Sequence, residues 1–118
     1  MANHSPAFPE TLITTYLEMT DISQLRPSAQ PEGDLLLLHA VRPDIDYYRF
    51  LYRGVGDALR WRDRLLMEDA DLEHLIHRPN CHIRVLHVGG VPAGYFELVD
   101  EDGTVELDYF GLRPAFQG

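Results

Sequence analysis

The chain has 118 residues, 45% hydrophobic and 25% charged, which suits one globular domain with a single core. Its net charge is −9 and all ten basic residues are arginine, a balance that disfavours sequence-independent nucleic-acid binding, which needs cations to displace counterions, and that suits cationic small molecules. One cysteine, Cys81, excludes an internal disulfide and fits a reducing compartment.

Residues 1–10 lack the basic start and apolar run of a secretory signal, and are expected as a flexible N-terminus of a cytoplasmic protein. Residues 11–19, with Ile13, Thr15, Leu17 and Met19 on one side, predict a strand. Residues 21–34 carry Pro27, Pro31 and Gly33 and predict a loop with a helical turn around Ile22 to Leu25. The run at 35–41 predicts a second strand, apolar enough to be buried on both faces. Its four leucines are far too short a stretch to cross a bilayer, so no membrane partner is expected.

From Pro43 the period becomes helical. Pro43 suits a first turn, and Asp44 and Asp46 sit where the helix dipole favours them. Tyr47, Phe50 and Leu51 form an i, i+3, i+4 stripe. Gly54 and Gly56 interrupt it, and Asp57 is placed to cap a second helix with Leu59, Trp61, Leu65 and Leu66. Arg60, Arg62 and Arg64 are expected on a solvated face, paired with Asp63 and Glu68. Residues 68–77 predict a third helix with Leu72, Leu75 and Ile76 inward, stopped by Pro79 and Asn80. Alternation then returns over 83–88, followed by the turn pair Gly89-Gly90, a strand over 91–99 and the tight-hairpin dipeptide Asp102-Gly103.

The final stretch opens as a strand, with Val105, Leu107 and Tyr109 facing one way and Glu106, Asp108 and Phe110 the other. Gly111 suggests a bulge or a close backbone approach. Pro114 ends the strand, and Gln117-Gly118 opens a glycine-containing turn. Strand, Gly-Leu-Arg-Pro, two residues, then Gln-Gly resembles the entry to the acetyl-CoA site of the GNAT-type N-acetyltransferases. There a central strand runs into a loop written Gln/Arg-x-x-Gly-x-Gly/Ala. Gln117 fits its first position and Gly118 a permissive second, with the identifying glycines expected beyond Gly118. The order of elements over about 35–118 is also similar to the first half of that fold. The resemblance implies an α+β, GNAT-like mixed sheet, an antiparallel meander after a helical insertion, with the C-terminal half of the fold missing. Residues 1–118 then form one partial domain, completed by the rest of a longer enzyme, by a second chain or by a second copy.

The resemblance also implies an activity, transfer of an acetyl group from acetyl-CoA to a primary amine in a ternary complex, expected of the full-length parent. The alternative is a non-catalytic module that associates through its open sheet edge. Amine acylation needs a carboxylate to take the ammonium proton. Glu106 is the first candidate, with Asp108 roughly 7 Å further along the same face and Glu97 on the neighbouring strand. In the family a bulge splays the central strand, and its main chain (Phe110, Gly111 and Leu112 in this sequence) pairs with the pantetheine arm and faces the thioester oxygen. Gln117 and Gly118 begin the pyrophosphate cradle. Trp61 and Tyr48, with Tyr47 and Tyr52, belong to the insertion that walls the acceptor site, where aromatic rings hold an amine by cation–π contact. At helical spacing such rings are more often core. His74, His77, Cys81 and His82 match no structural zinc spacing, and no metal is expected. Nothing places a base beside Cys81 that would make it a nucleophile.

Overall fold

Two helices and an open four-stranded antiparallel sheet make up the larger of two units, Glu32–Gly118 and Met1–Pro31; the computed structural model describes residues 15–118. In the smaller unit, Ile22–Gln24 forms one 3₁₀ turn, as the sequence predicts. Asp21 accepts from Ser23 N at 2.9 Å, and Gln24 Oε1 accepts from Asp21 N at 3.1 Å, a reciprocal capping box. The strand expected over 11–19 is corrected where it is described: residues 15–19 form none. No ladder includes them, and alternation alone does not hold a strand. The rest of that strand, and the expected flexible N-terminus, lie outside the described residues.

The larger unit runs β1 (Leu35–His39), α1 (Ile45–Gly56), α2 (Asp69–Ile76), β2 (Cys81–Val88), β3 (Val91–Glu101) and β4 (Thr104–Leu112). The sheet order is β1-β2-β3-β4. Every pairing is antiparallel, so the parallel component of the expected mixed sheet is not seen among the described residues. Two tight turns join β2, β3 and β4. Gly89 and Gly90 (φ 57° and 82°), like Asp102 and Gly103 (38° and 85°), place both turn residues at positive φ, as hairpin-compatible turns require.

Asp44 starts α1 by accepting from Tyr47 N at 2.7 Å. The buried stripe is Tyr48, Leu51, Tyr52 and Val55, an i, i+3, i+4, i+7 set one residue out of phase with the stripe read from sequence; Phe50 is exposed. Gly54 lies within the helix, and the helix ends at Gly56. A Cβ at Gly56 would stand 2.5 Å from the Trp61 ring, and one at Gly54 would stand 3.1 Å from Arg113 Cγ, so both glycines admit a neighbour.

The predicted second helix is a single 3₁₀ turn, Asp57–Leu59, followed by irregular chain. Arg60 takes a left-handed conformation (φ 62°), Arg60 N donates to Asp57 O at 3.2 Å and Trp61 N to Gly56 O at 3.0 Å. This is a Schellman ending built without glycine, and it folds Trp61 back over the helix. α2 falls where the third helix was expected, with Leu72 and Ile76 buried.

The core lies between α1, α2 and one sheet face, and includes Tyr48, Leu51, Tyr52, Val55, Leu72, Ile76, Cys81, Ile83, Val85 and Tyr95. β1 is an edge strand and not one buried on both faces: Leu36, Leu37 and Leu38 are 54%, 46% and 47% exposed. Among the described residues β2 is its only sheet neighbour. Among the described residues no helix is long and apolar enough to cross a membrane.

Candidate functional site

The centre of the helix-facing side of the sheet is polar. Glu97, in the middle of β3, is fully buried, and Arg64, from the irregular chain before α2, is 7% exposed. Arg64 Nη2 donates to Glu97 Oε2 at 2.9 Å, and Tyr48 OH donates to Oε1 at 2.6 Å. Both carboxylate oxygens are thus bonded, the condition for keeping such a group inside. Burial still outweighs the Arg64 charge and the Tyr48 hydrogen bond and holds the carboxyl above its ordinary value, with Asp108 adding a smaller push in the same direction. Burial works against the Arg64 charge too, but Glu97, Tyr48 and Tyr109 together hold the guanidinium above its usual range.

Aromatic rings enclose this pair. Tyr52, Trp61 and Tyr109 meet with centroids 4.9 to 5.5 Å apart, and Arg64 Cζ lies 5.1 Å from the Tyr109 centroid, a cation–π distance. Arg64 Nη1 and Tyr95 OH are buried without a hydrogen-bond partner among the described residues. Polar atoms left so in a native core mark strain, a water site or a functional site. The solvated Arg64 paired with Asp63 or Glu68 that the sequence suggests is corrected: its partner is Glu97, 33 residues away.

β4 carries the remaining candidates. Glu97 pairs with Tyr109 but Leu98 pairs with Leu107, so Asp108 is an extra residue, a β-bulge. The bulge expected at Gly111 is therefore three residues upstream. Phe110, Gly111 and Leu112 pair regularly with Phe96, Tyr95 and Gly94. Gly111 meets the close approach that was its other reading: a Cβ there would stand 2.5 Å from Val55 Cγ1.

The bulge also changes the facing of the strand. Tyr109 turns to the Glu97 side, while Leu107 and Phe110 share the opposite side with Leu98 and Phe96. Asp108 is half-buried and close enough to act on Glu97. Glu106, opposite Val99, is exposed. The three carboxylates are neighbours, but only Glu97 is enclosed.

Of the aromatic candidates, Trp61 is half-buried, while Tyr48 is wholly buried with its hydroxyl on Glu97. Gln117 is exposed, and its Nε2 donates to Leu112 O at 2.9 Å, bridging two residues that the resemblance assigns to the same cofactor. No strand pairs with the far side of β4 among the described residues, so the outward main-chain groups of this strand face no ladder. Burial pushes the Cys81 thiol up to about 11, which leaves it protonated at neutral pH. Among the described residues no three His, Cys, Asp or Glu side chains gather as metal ligands. No protein-family model matches the chain, and neither a curated protein nor a solved structure does.

Proposed function

We propose that this chain forms the donor-side half of an acetyl-CoA-dependent N-acetyltransferase acting on a primary amine. The observation that carries the reading is the β4 bulge at Asp108. It sets a half-buried carboxylate beside the enclosed Glu97–Arg64 pair and just upstream of Gly111 and the Gln117-Gly118 turn. The order β1, α1, α2 and the β2-β3-β4 meander supports it as well, though fold alone does not assign an activity.

In this reading the acceptor amine attacks the thioester carbonyl. The N–C bond forms, the C–S bond breaks, the ammonium proton passes to a carboxylate and the departing thiolate takes up a proton. Asp108 at the bulge is the base; Glu106, the first choice from sequence, is exposed and helps draw in the cation. Glu97 does not exchange protons with substrate. It positions Arg64, and through it Tyr109 and Trp61, which with the carboxylates favour a cationic acceptor. The outward N–H and C=O groups of Phe110 and Leu112 pair with the pantetheine arm, with Gly111 between them turned to Tyr95 of β3, and Gln117 leaves the Leu112 carbonyl when they do.

The test is kinetic, on a protein that continues through the glycine loop. Asp108→Asn lowers kcat by about a hundredfold or more while Glu106→Gln raises KM for the amine. The opposite assignment of the two effects returns the base to Glu106, and unchanged kinetics in both variants overturn the reading.

A second reading, a non-catalytic module that associates through its open edge, is favoured by one observation. Val105, Leu107 and Phe110 of β4 are 64%, 54% and 66% exposed on a strand with nothing paired beyond it among the described residues. A purified chain that stays associated in light scattering and gives no binding heat with acetyl-CoA supports this second reading.

A further inference from the structure

A cavity of about 580 Å³ lies along α2 and collects four basic side chains, Arg42, His74, His77 and Arg78, with a single carboxylate, Glu73. In a chain of net charge −9, two guanidiniums and two imidazoles around one carboxylate run against the trend. Two of the guanidiniums are held in place. Arg42, from the connection after β1, donates Nη2 to His77 Nδ1 at 3.2 Å, and His77 donates Nε2 to the buried Pro43 carbonyl at 2.7 Å. These two partners assign the imidazole as its Nε2–H tautomer. Arg78 donates Nε to Leu75 O at 2.8 Å, a bond that does not use its Nη1 and Nη2 atoms.

Cations at a helix C-terminus are ordinary, since they meet its orphan carbonyls and its dipole. That accounts for one bond of Arg78. It does not account for Arg42, which comes from another element and bonds a histidine ring and not a carbonyl. A guanidinium fork fixed in advance matches a tetrahedral oxyanion and loses little freedom on binding it.

We propose that this groove binds a phosphate-class oxyanion, free or as a small phosphomonoester, held by Arg42 and Arg78 with His74 as a third donor. The inference does not rest on the acyl-transfer reading, none of whose residues lines this groove.

The test is an NMR titration of the isotope-labelled chain with inorganic phosphate and, separately, glycerol phosphate. Saturable shifts of the Arg42, Arg78 and His74 side-chain resonances are expected. Arg42→Gln and Arg78→Gln each weaken binding by about tenfold, the value of one charge-assisted hydrogen bond. Glu73→Gln tightens it, a gain that misfolding cannot mimic. Tighter binding of the ester assigns a small-molecule ligand; equal binding assigns the free ion. Shifts that rise linearly without saturating for both probes, or binding that none of the three variants alters, overturn the proposal.

Discussion

Glu97 shows how much one buried charge costs and what keeps it in place. Both of its oxygens are bonded, by Tyr48 and Arg64, so removing either partner strands the other charge in a medium that solvates it poorly. Glu97→Ala is expected to cost about 3–5 kcal/mol of unfolding free energy in urea, as breakage of a buried pair does. Replacing both Arg64 and Glu97 by apolar residues of similar size should cost much less. The pH dependence has a definite sign. Because the folded carboxyl sits above its ordinary value of 4.5, the folded state holds that proton when the unfolded state has lost it. The contribution is fully present below pH 4.5 and declines as pH rises through the folded value. The stability difference between the wild type and Glu97→Gln should therefore shift against the wild type as pH is raised from 4.5. A difference that stays flat would mean that the carboxyl is not raised. Glu97 could be named from sequence as a carboxylate of interest. Its partner could not, because Arg64 lies on irregular chain where no period tells inward from outward.

The elements were legible where a local signal fixes them. Asp44, Gly89-Gly90 and Asp102-Gly103 mark a helix start and two turns by chemistry that acts within four residues, and the structure has all three. Signals that depend on a distant neighbour were not legible. Gly54 looks like a helix breaker until Arg113 is seen against it. The β4 bulge, set by pairing with β3, has no mark of its own at Asp108. Gly111 is a test at this scale. Gly111→Ala places a methyl 2.5 Å from Val55 Cγ1, and overpacking of this kind costs about 1–3 kcal/mol. Combining it with Val55→Ala should recover part of that loss, a favourable coupling readable from thermal midpoints in a double-mutant cycle. Strict additivity would show that Gly111 is not held against α1. Asp44→Ala, which removes the cap of α1, is expected to cost about 1 kcal/mol in the same assay.

At the scale of the molecule, the helices cover one face of the sheet and leave apolar residues exposed on β4, at an edge that pairs with nothing among the described residues. Such an edge is a template for pairing. Phe110→Lys should lower the concentration-dependent association of the chain in light scattering; association unchanged by the substitution would place the contact elsewhere. The order of elements predicted an α+β fold ending in an antiparallel meander, and the sheet has that meander. What joins β4 from outside is a property of a partner surface, and no residue within the chain encodes it alone. The central claim is that the β4 main chain, just past the Asp108 bulge, receives the arm of an acyl-thioester carrier. Its most direct test is titration of the isotope-labelled chain with acetyl-CoA, followed by amide NMR. The account predicts saturable shifts concentrated at Phe110, Gly111, Leu112, Gln117 and Gly118. Saturable binding that leaves these amides unmoved, or no binding at all, would contradict it.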